Sequence, residues 1–206
     1  MEPMMRQRGF TIIEVVITVT IAAFLLAALM PSIGTWMRNS RLRTAAESIS
    51  NGLQQARNEA VRRNQPISFF LVSDVDAISM SDGCALSASS SGWVVAPASP
   101  AGRCATDRDT FVSLRVAGDT ANGLSVSATD NTPAAATTVT FNGYGQISNA
   151  SAISCIKLTN ASDTTTRKLN IAVNAGGQIR MCDPAVSDLN DPRVCPPPPP
   201  GVAPCQ

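Results

Sequence analysis

The chain has 206 residues, 44% apolar and 4% aromatic, with 16 Lys plus Arg against 15 Asp plus Glu and no histidine. A net charge of +1 gives no whole-chain attraction to nucleic acid or anionic lipid. The missing His excludes Ser-His-Asp and Cys-His catalysis, H-E-x-x-H zinc sites and the usual zinc fingers.

Residues 1–9 are short and polar, with Arg6 and Arg8 just before Gly9. From Phe10 to Met30 run 21 residues that are apolar except for Thr11, Glu14, Thr18 and Thr20. A bilayer span needs about 20 residues. No small-residue cleavage site follows Leu29, so the segment is read as retained rather than removed. Glu14 is the exception within it, because a carboxylate at the centre of a membrane helix costs ~2.5–3.5 kcal/mol. The same helix face offers it no cation, so its partner must come from elsewhere.

Pro31 and Gly34 predict a kink or a melted turn, or the first turn of a separate helix. Residues 35–64 resume a helix. Leu42, Ala45, Ala46, Ile49, Leu53, Ala56, Ala60 and Val61 form one stripe at spacings of three and four. Arg43 with Glu47, and Glu59 with Arg63, can pair across a turn. Gly52 weakens the helix by about 1 kcal/mol relative to Ala and marks a close approach to a sheet. Asn64-Gln65-Pro66 ends the element.

Beyond Pro66 the hydrophobic period becomes two. Strands are predicted at Ile67–Val72, Trp93–Ala96, Phe111–Val116, Gly123–Ala128, Thr137–Phe141, Ile153–Thr159, Lys168–Val173 and Gln178–Cys182. Asn142-Gly143, Gly145 and Gly176-Gly177 mark tight turns. The stretches 81–92, 98–107, 129–138 and 160–166, rich in Ser, Ala and Thr, read as loops. The fold class is α+β: a long N-terminal helix, membrane-spanning in its first half and amphipathic in its second, packed on an antiparallel β-sheet head. The domain division is 1–9 leader, 10–30 membrane or filament-core helix, 31–64 amphipathic helix, 65–182 head and 183–206 tail. Pro196–Pro200 should form a short polyproline II rod in that tail.

Cys84, Cys104, Cys155, Cys182, Cys195 and Cys205 are even in number and include no CxxC pair. Disulfides in an oxidising compartment fit better than zinc. No cofactor is expected. Asp183, Asp188, Asn190 and Asp191 match no EF-hand spacing and read as turn residues rather than calcium ligands. Asp74/Asp76 and Asp107/Asp109 are paired carboxylates on loop-like stretches, with no sign of the pocket that acid–base work requires. The protein is read as no enzyme.

Gly9-Phe10-Thr11-Ile12-Ile13-Glu14, followed by the apolar run, resembles the type III signal of type IV pilins and pseudopilins. The resemblance implies that prepilin peptidase cuts between Gly9 and Phe10 and methylates the new N-terminal Phe10. It also implies that Glu14 pairs with the N-terminal ammonium of a neighbouring subunit, which is physically sensible since a buried pair costs less than one buried charge. Pro31 stands where such pilins carry a helix-bending proline. The motifs Phe141-Asn142-Gly143-Tyr144-Gly145-Gln146 and Gly176–Pro184, with Asp191-Pro192-Arg193-Val194-Cys195, resemble the FimT/FimU minor pilins and their GspH-type head.

That family implies a disulfide between Cys182 and Cys195. Cys84 and Cys104 flank a neighbouring loop and are expected to pair, leaving Cys155 and Cys205; other connectivities stay open. The function implied is a minor pilin of the pilus-tip initiation complex in the inner membrane, with its head periplasmic. Its partners would be the major pilin, other minor pilins and prepilin peptidase.

Two further readings stand beside it. One is a minor pseudopilin of type II secretion. The other is DNA uptake, for which Arg167, Lys168, Arg180 and Arg193 are the candidate contacts. Nucleic acid is the less favoured partner. Gln178 occupies the first Arg position of the Gly-Arg-x-Arg motif found in some FimT-like pilins, and residues 65–206 carry eight basic groups against 11 Asp.

Overall fold

The computed structural model describes residues 9–73, 79–116, 123–161, 167–198 and 203–205, with the backbone alone for 27–32. The chain divides into two compact units, 1–37 and 38–206. A single helix, α1, runs from Ile12–Arg63. The expected melted turn at Pro31 is absent. A proline removes one amide donor, and the helical run continues past that loss. Among the described residues no helix is long and apolar enough to cross a membrane. The described side chains of this apolar run end at Leu26.

In the first unit the apolar side chains are exposed: Phe10, Ile12, Ile13, Val16, Ile17 and Phe24 among them. In the second, burial begins at Leu42 and continues through Ala45, Ala46, Ile49, Leu53, Ala56 and Ala60. Val61, expected on the same stripe, is half exposed. It follows Ala60 by one residue, about 100° round the helix, and falls off the apolar face.

Among the described residues nine strands follow the helix: β1 Ile67–Ser73, β2 Ala85–Leu86, β3 Gly92–Ala96, β4 Ser113–Arg115, β5 Leu124–Thr129, β6 Thr138–Phe141, β7 Cys155–Asn160, β8 Leu169–Val173 and β9 Ile179–Cys182. They form two antiparallel sheets. In the first, the order is β2-β1-β3-β4, with β6 also paired to β1; in the second it is β5-β7-β8-β9. Eight strands lie within two residues of their predicted places. The short β2 lies in a stretch expected to be loop, since two residues carry no readable period.

Both sheets turn an apolar face to the same helix. Ile67, Phe69, Leu71, Trp93, Val95, Val139 and Phe141 from one sheet share a core with Ile156, Leu158, Ile171 and Val173 from the other. β1 is buried on both sides. Its even-numbered Phe70 and Val72 meet Val94, Met80 and the Cys84–Cys104 disulfide in a second, smaller core.

Gly52 is a point of close approach between α1 and the first sheet. A Cβ placed there would stand 2.9 Å from Phe69 Cε2 and from the Trp93 indole. Those rings pack with centroids 5.8 Å apart, and Trp93 Nε1 donates to Ser48 Oγ at 3.0 Å one turn earlier on α1. Arg43 pairs with Glu47 at 2.7 Å. Glu59 takes Arg62 and Arg63 together, and these hydrogen bonds hold its carboxyl down to about 2.

At an exposed helix position Gly→Ala stabilises by about 1 kcal/mol. At Gly52 the sign should reverse: G52A should lower the urea midpoint at unchanged m-value, because overpacking costs about 1–3 kcal/mol. A raised midpoint would mean that the Phe69 and Trp93 rings yield freely.

Candidate functional site

The N-terminal candidates sit at the start of α1. Gly9 and Phe10 precede the helix and are exposed. Thr11 caps it: Glu14 N donates to Thr11 Oγ1 at 3.3 Å, and Val15 N to Thr11 O at 3.3 Å. Thr11-Ile12-Ile13-Glu14 therefore has the spacing of a capping box, a signal present in the sequence and passed over there. The cap fixes where the helix begins, at Ile12, three residues after Gly9. Glu14 lies in the first turn, where a carboxylate complements the helix dipole. It is exposed, and no cation among the described residues pairs with it.

The C-terminal candidates gather at one disulfide loop. Cys182 is joined to Cys195, with Cα atoms 4.8 Å apart. The loop is tied to β9 by a bond from Asp183 N to Arg193 O at 2.8 Å and by a bridge between Asp183 and Val194. Three of the four cationic candidates hold this loop. Arg167 Nε donates to Asp183 Oδ2 at 3.3 Å. Arg180 Nη2 donates to Pro192 O at 2.9 Å. Arg193 grips Asp191 through Nε and Nη2, at 3.1 and 2.7 Å, and holds that carboxyl down to about 2. Lys168 is exposed beside Leu169 at the start of β8. The arginines thus converge, but chiefly around their own acids and carbonyls, and a phosphate would compete with those partners.

The remaining cysteines pair as Cys84–Cys104 and Cys155–Cys205. The acidic run of the tail makes turns. Asp183 Oδ1 accepts from Ala185 N, Asp188 Oδ1 from Asn190 N and Asp191 Oδ1 from Arg193 N. Asp107 pairs with Arg103 at 3.0 Å, while Asp74 and Asp76 lie outside the described residues.

The two glycine motifs meet at the end of α1. Arg57 Nε donates to Gly145 O at 3.1 Å. Gly177, at φ +77°, packs so tightly on Gly145 that a Cβ there would run into the Gly145 carbonyl. Sequence reading found both turns but not their contact, which joins positions 32 residues apart in the chain.

Residues 45–177 match the family model of the type II transport protein GspH, and residues 4–30 match the prokaryotic N-terminal methylation motif. The chain belongs to the GspH family. With the methylation motif ahead of that head, it is a minor pilin or pseudopilin of the type IV class. Among solved structures, two crystal forms of the type IV minor pilin FimU from Pseudomonas aeruginosa are similar. The first aligns at 17% identity and TM-score 0.45, covering 71% of this chain and 91% of that one. The second aligns at 16% and 0.42, covering 68% and 90%. No curated protein matches.

Asp191 has a depressed folded pKa, so its pair with Arg193 is intact above the unfolded carboxylate value of about 4 and is lost as pH falls through about 2. The Arg193 Nε–H should lose its protection from exchange over that window when followed by NMR. In D191N the step should be absent.

Proposed function

We infer that this GspH-family chain is a minor type IV pilin, a non-enzymatic structural subunit of the pilus-tip initiation complex. It enters the inner membrane through residues 10–30, with the head in the periplasm. Prepilin peptidase cuts after Gly9, and Phe10 is methylated. The helix, bending at Pro31, then leaves the membrane for the filament core, where Glu14 meets the Phe10 ammonium of a neighbouring subunit. The major pilin and other minor pilins are its partners.

The order of parts carries this reading. A methylation motif over residues 4–30 leads into a helix whose later half forms the core of a GspH-type head. The exposed apolar side chains of the first unit give that helix a surface that needs lipid or other helices around it. A type II secretion pseudopilin is the second reading, favoured by the description of the matching family as a type II transport protein. Deleting the gene separates them: loss of pili with normal protein export supports the pilin, and the reverse supports the pseudopilin.

For the assembly step, E14A should leave membrane insertion and cleavage after Gly9 intact while lowering incorporation into sheared filaments. Normal incorporation would remove the role given to Glu14.

A further inference from the structure

Away from α1, the second sheet carries a row of side chains set by its register: Cys155 on β7 lies opposite Ala172 on β8, which lies opposite Arg180 on β9. Their neighbours Ile156, Ile171 and Val173 face the core, so this row faces outward. Cys155 is bonded to Cys205, which draws the end of the chain over the row. Asn170 Nδ2 donates to Cys205 O at 3.1 Å, and Ala203 N donates to Asn131 O at 3.1 Å. Ala172, in the middle of the row, lines the same space as the described tail residues Pro196–Pro198 and Ala203. A cavity of about 400 Å³ remains, lined by Ala172, Pro196–Pro198, Ala150, Ala152, Gln178 and Arg180 among others. Small-molecule sites run from roughly 300 to 1,000 Å³.

The polar groups of this cavity are unevenly committed. Asn149 Oδ1 accepts from Thr140 N, and its Nδ2 donates to Thr138 O. Asn174 is bonded to Gln178, and Ser154 Oγ donates to Thr129 O. Asn131 adds one further amide. The groups left over are chiefly donors. Gln178 Nε2 and the Nε and Nη1 of Arg180 have no partner among the described residues, and only Nη2 of Arg180 is engaged. Gln178, just ahead of β9, and Arg180 on it both line this space. Among the described residues no Asp or Glu lines the space, and Arg180 is the one charged side chain there.

We propose that this cavity binds a small monocarboxylate with an apolar body. Its carboxylate takes the free donors of Gln178 and Arg180, and its body lies against the prolines and alanines. A single cation with one amide matches one negative charge. A phosphate dianion would face too few cations and would leave the apolar walls unused. The site goes beyond the assembly role and does not depend on it.

Phenylacetate is a suitable probe, titrated into the ¹⁵N-labelled full chain in detergent micelles and followed at the backbone amides of 172–180. Saturable shifts at Ala172, Gln178 and Arg180 are expected. Affinity should be about tenfold weaker for neutral phenylacetamide, and about tenfold weaker for phenylacetate on R180Q. A172L fills the cavity without changing charge and should abolish the shifts. Non-reducing peptide mapping that finds Cys155–Cys205 intact in a variant excludes misfolding as the cause of its loss. Q178L replaces any variant that fails this check. The proposal is overturned if phenylacetate gives no saturable shift at millimolar concentration, if the amide binds equally well, or if A172L leaves binding unchanged.

Discussion

At Gly52 the backbone of α1 comes within van der Waals range of the Phe69 and Trp93 rings, and much of the head is arranged around that approach. A helix with side chains all round keeps its axis roughly 8–10 Å from a packed neighbour. Removing one side chain at the centre of the stripe lets two large rings fill the gap. The small residues along the same face, Ala45, Ala46, Ala56 and Ala60, extend that closeness above and below it. The helix is then thin enough for two sheets to share one core with it, with Trp93 fixed in orientation by its bond to Ser48. An alanine-rich stripe looks like weak core material, since each residue buries little area. Here it suits the design, because the bulk comes from Phe69, Phe141, Trp93 and the branched residues of the strands.

Much of this was legible in the chain because periodic patterns are local. The stripe from Leu42 to Ala60 and eight of the strands follow from spacings of three, four and two, and the structure keeps them in place. Gly52 was legible because a glycine inside a strong helix pattern asks for a reason. The misses have a common physical origin. Val61 fits the spacing rule only if the apolar face is made wider than the sheets can cover. β2 is two residues long, and its pairing with Val72 and Ser73 is decided by the chain around it. The bond between Asp183 and Arg193, the contact of Gly177 with Gly145 and the capture of Arg180 by Pro192 O join groups distant in sequence. Composition can count arginines, but it cannot say which have found an acid or a carbonyl already.

That last point changes what the charge balance means. Residues 31–64 carry six Arg against two Glu, and residues 65–206 carry more acid than base. Counted alone, the two halves suggest a basic helix and an acidic head. In space much of the charge is spent in short-range pairs: Arg43 with Glu47, Arg62 and Arg63 with Glu59, Arg103 with Asp107, Arg167 with Asp183 and Arg193 with Asp191. Surface pairs of this kind add little stability each. Their effect here is geometric, because they hold helix turns and the Cys182–Cys195 loop in one conformation. On the proposed function, a chain that leaves a bilayer to pack beside related chains gains from such a head. Local pairing keeps its charge from acting at long range, while the exposed apolar face of the first unit and the exposed carboxylate of Glu14 have no complement among the described residues.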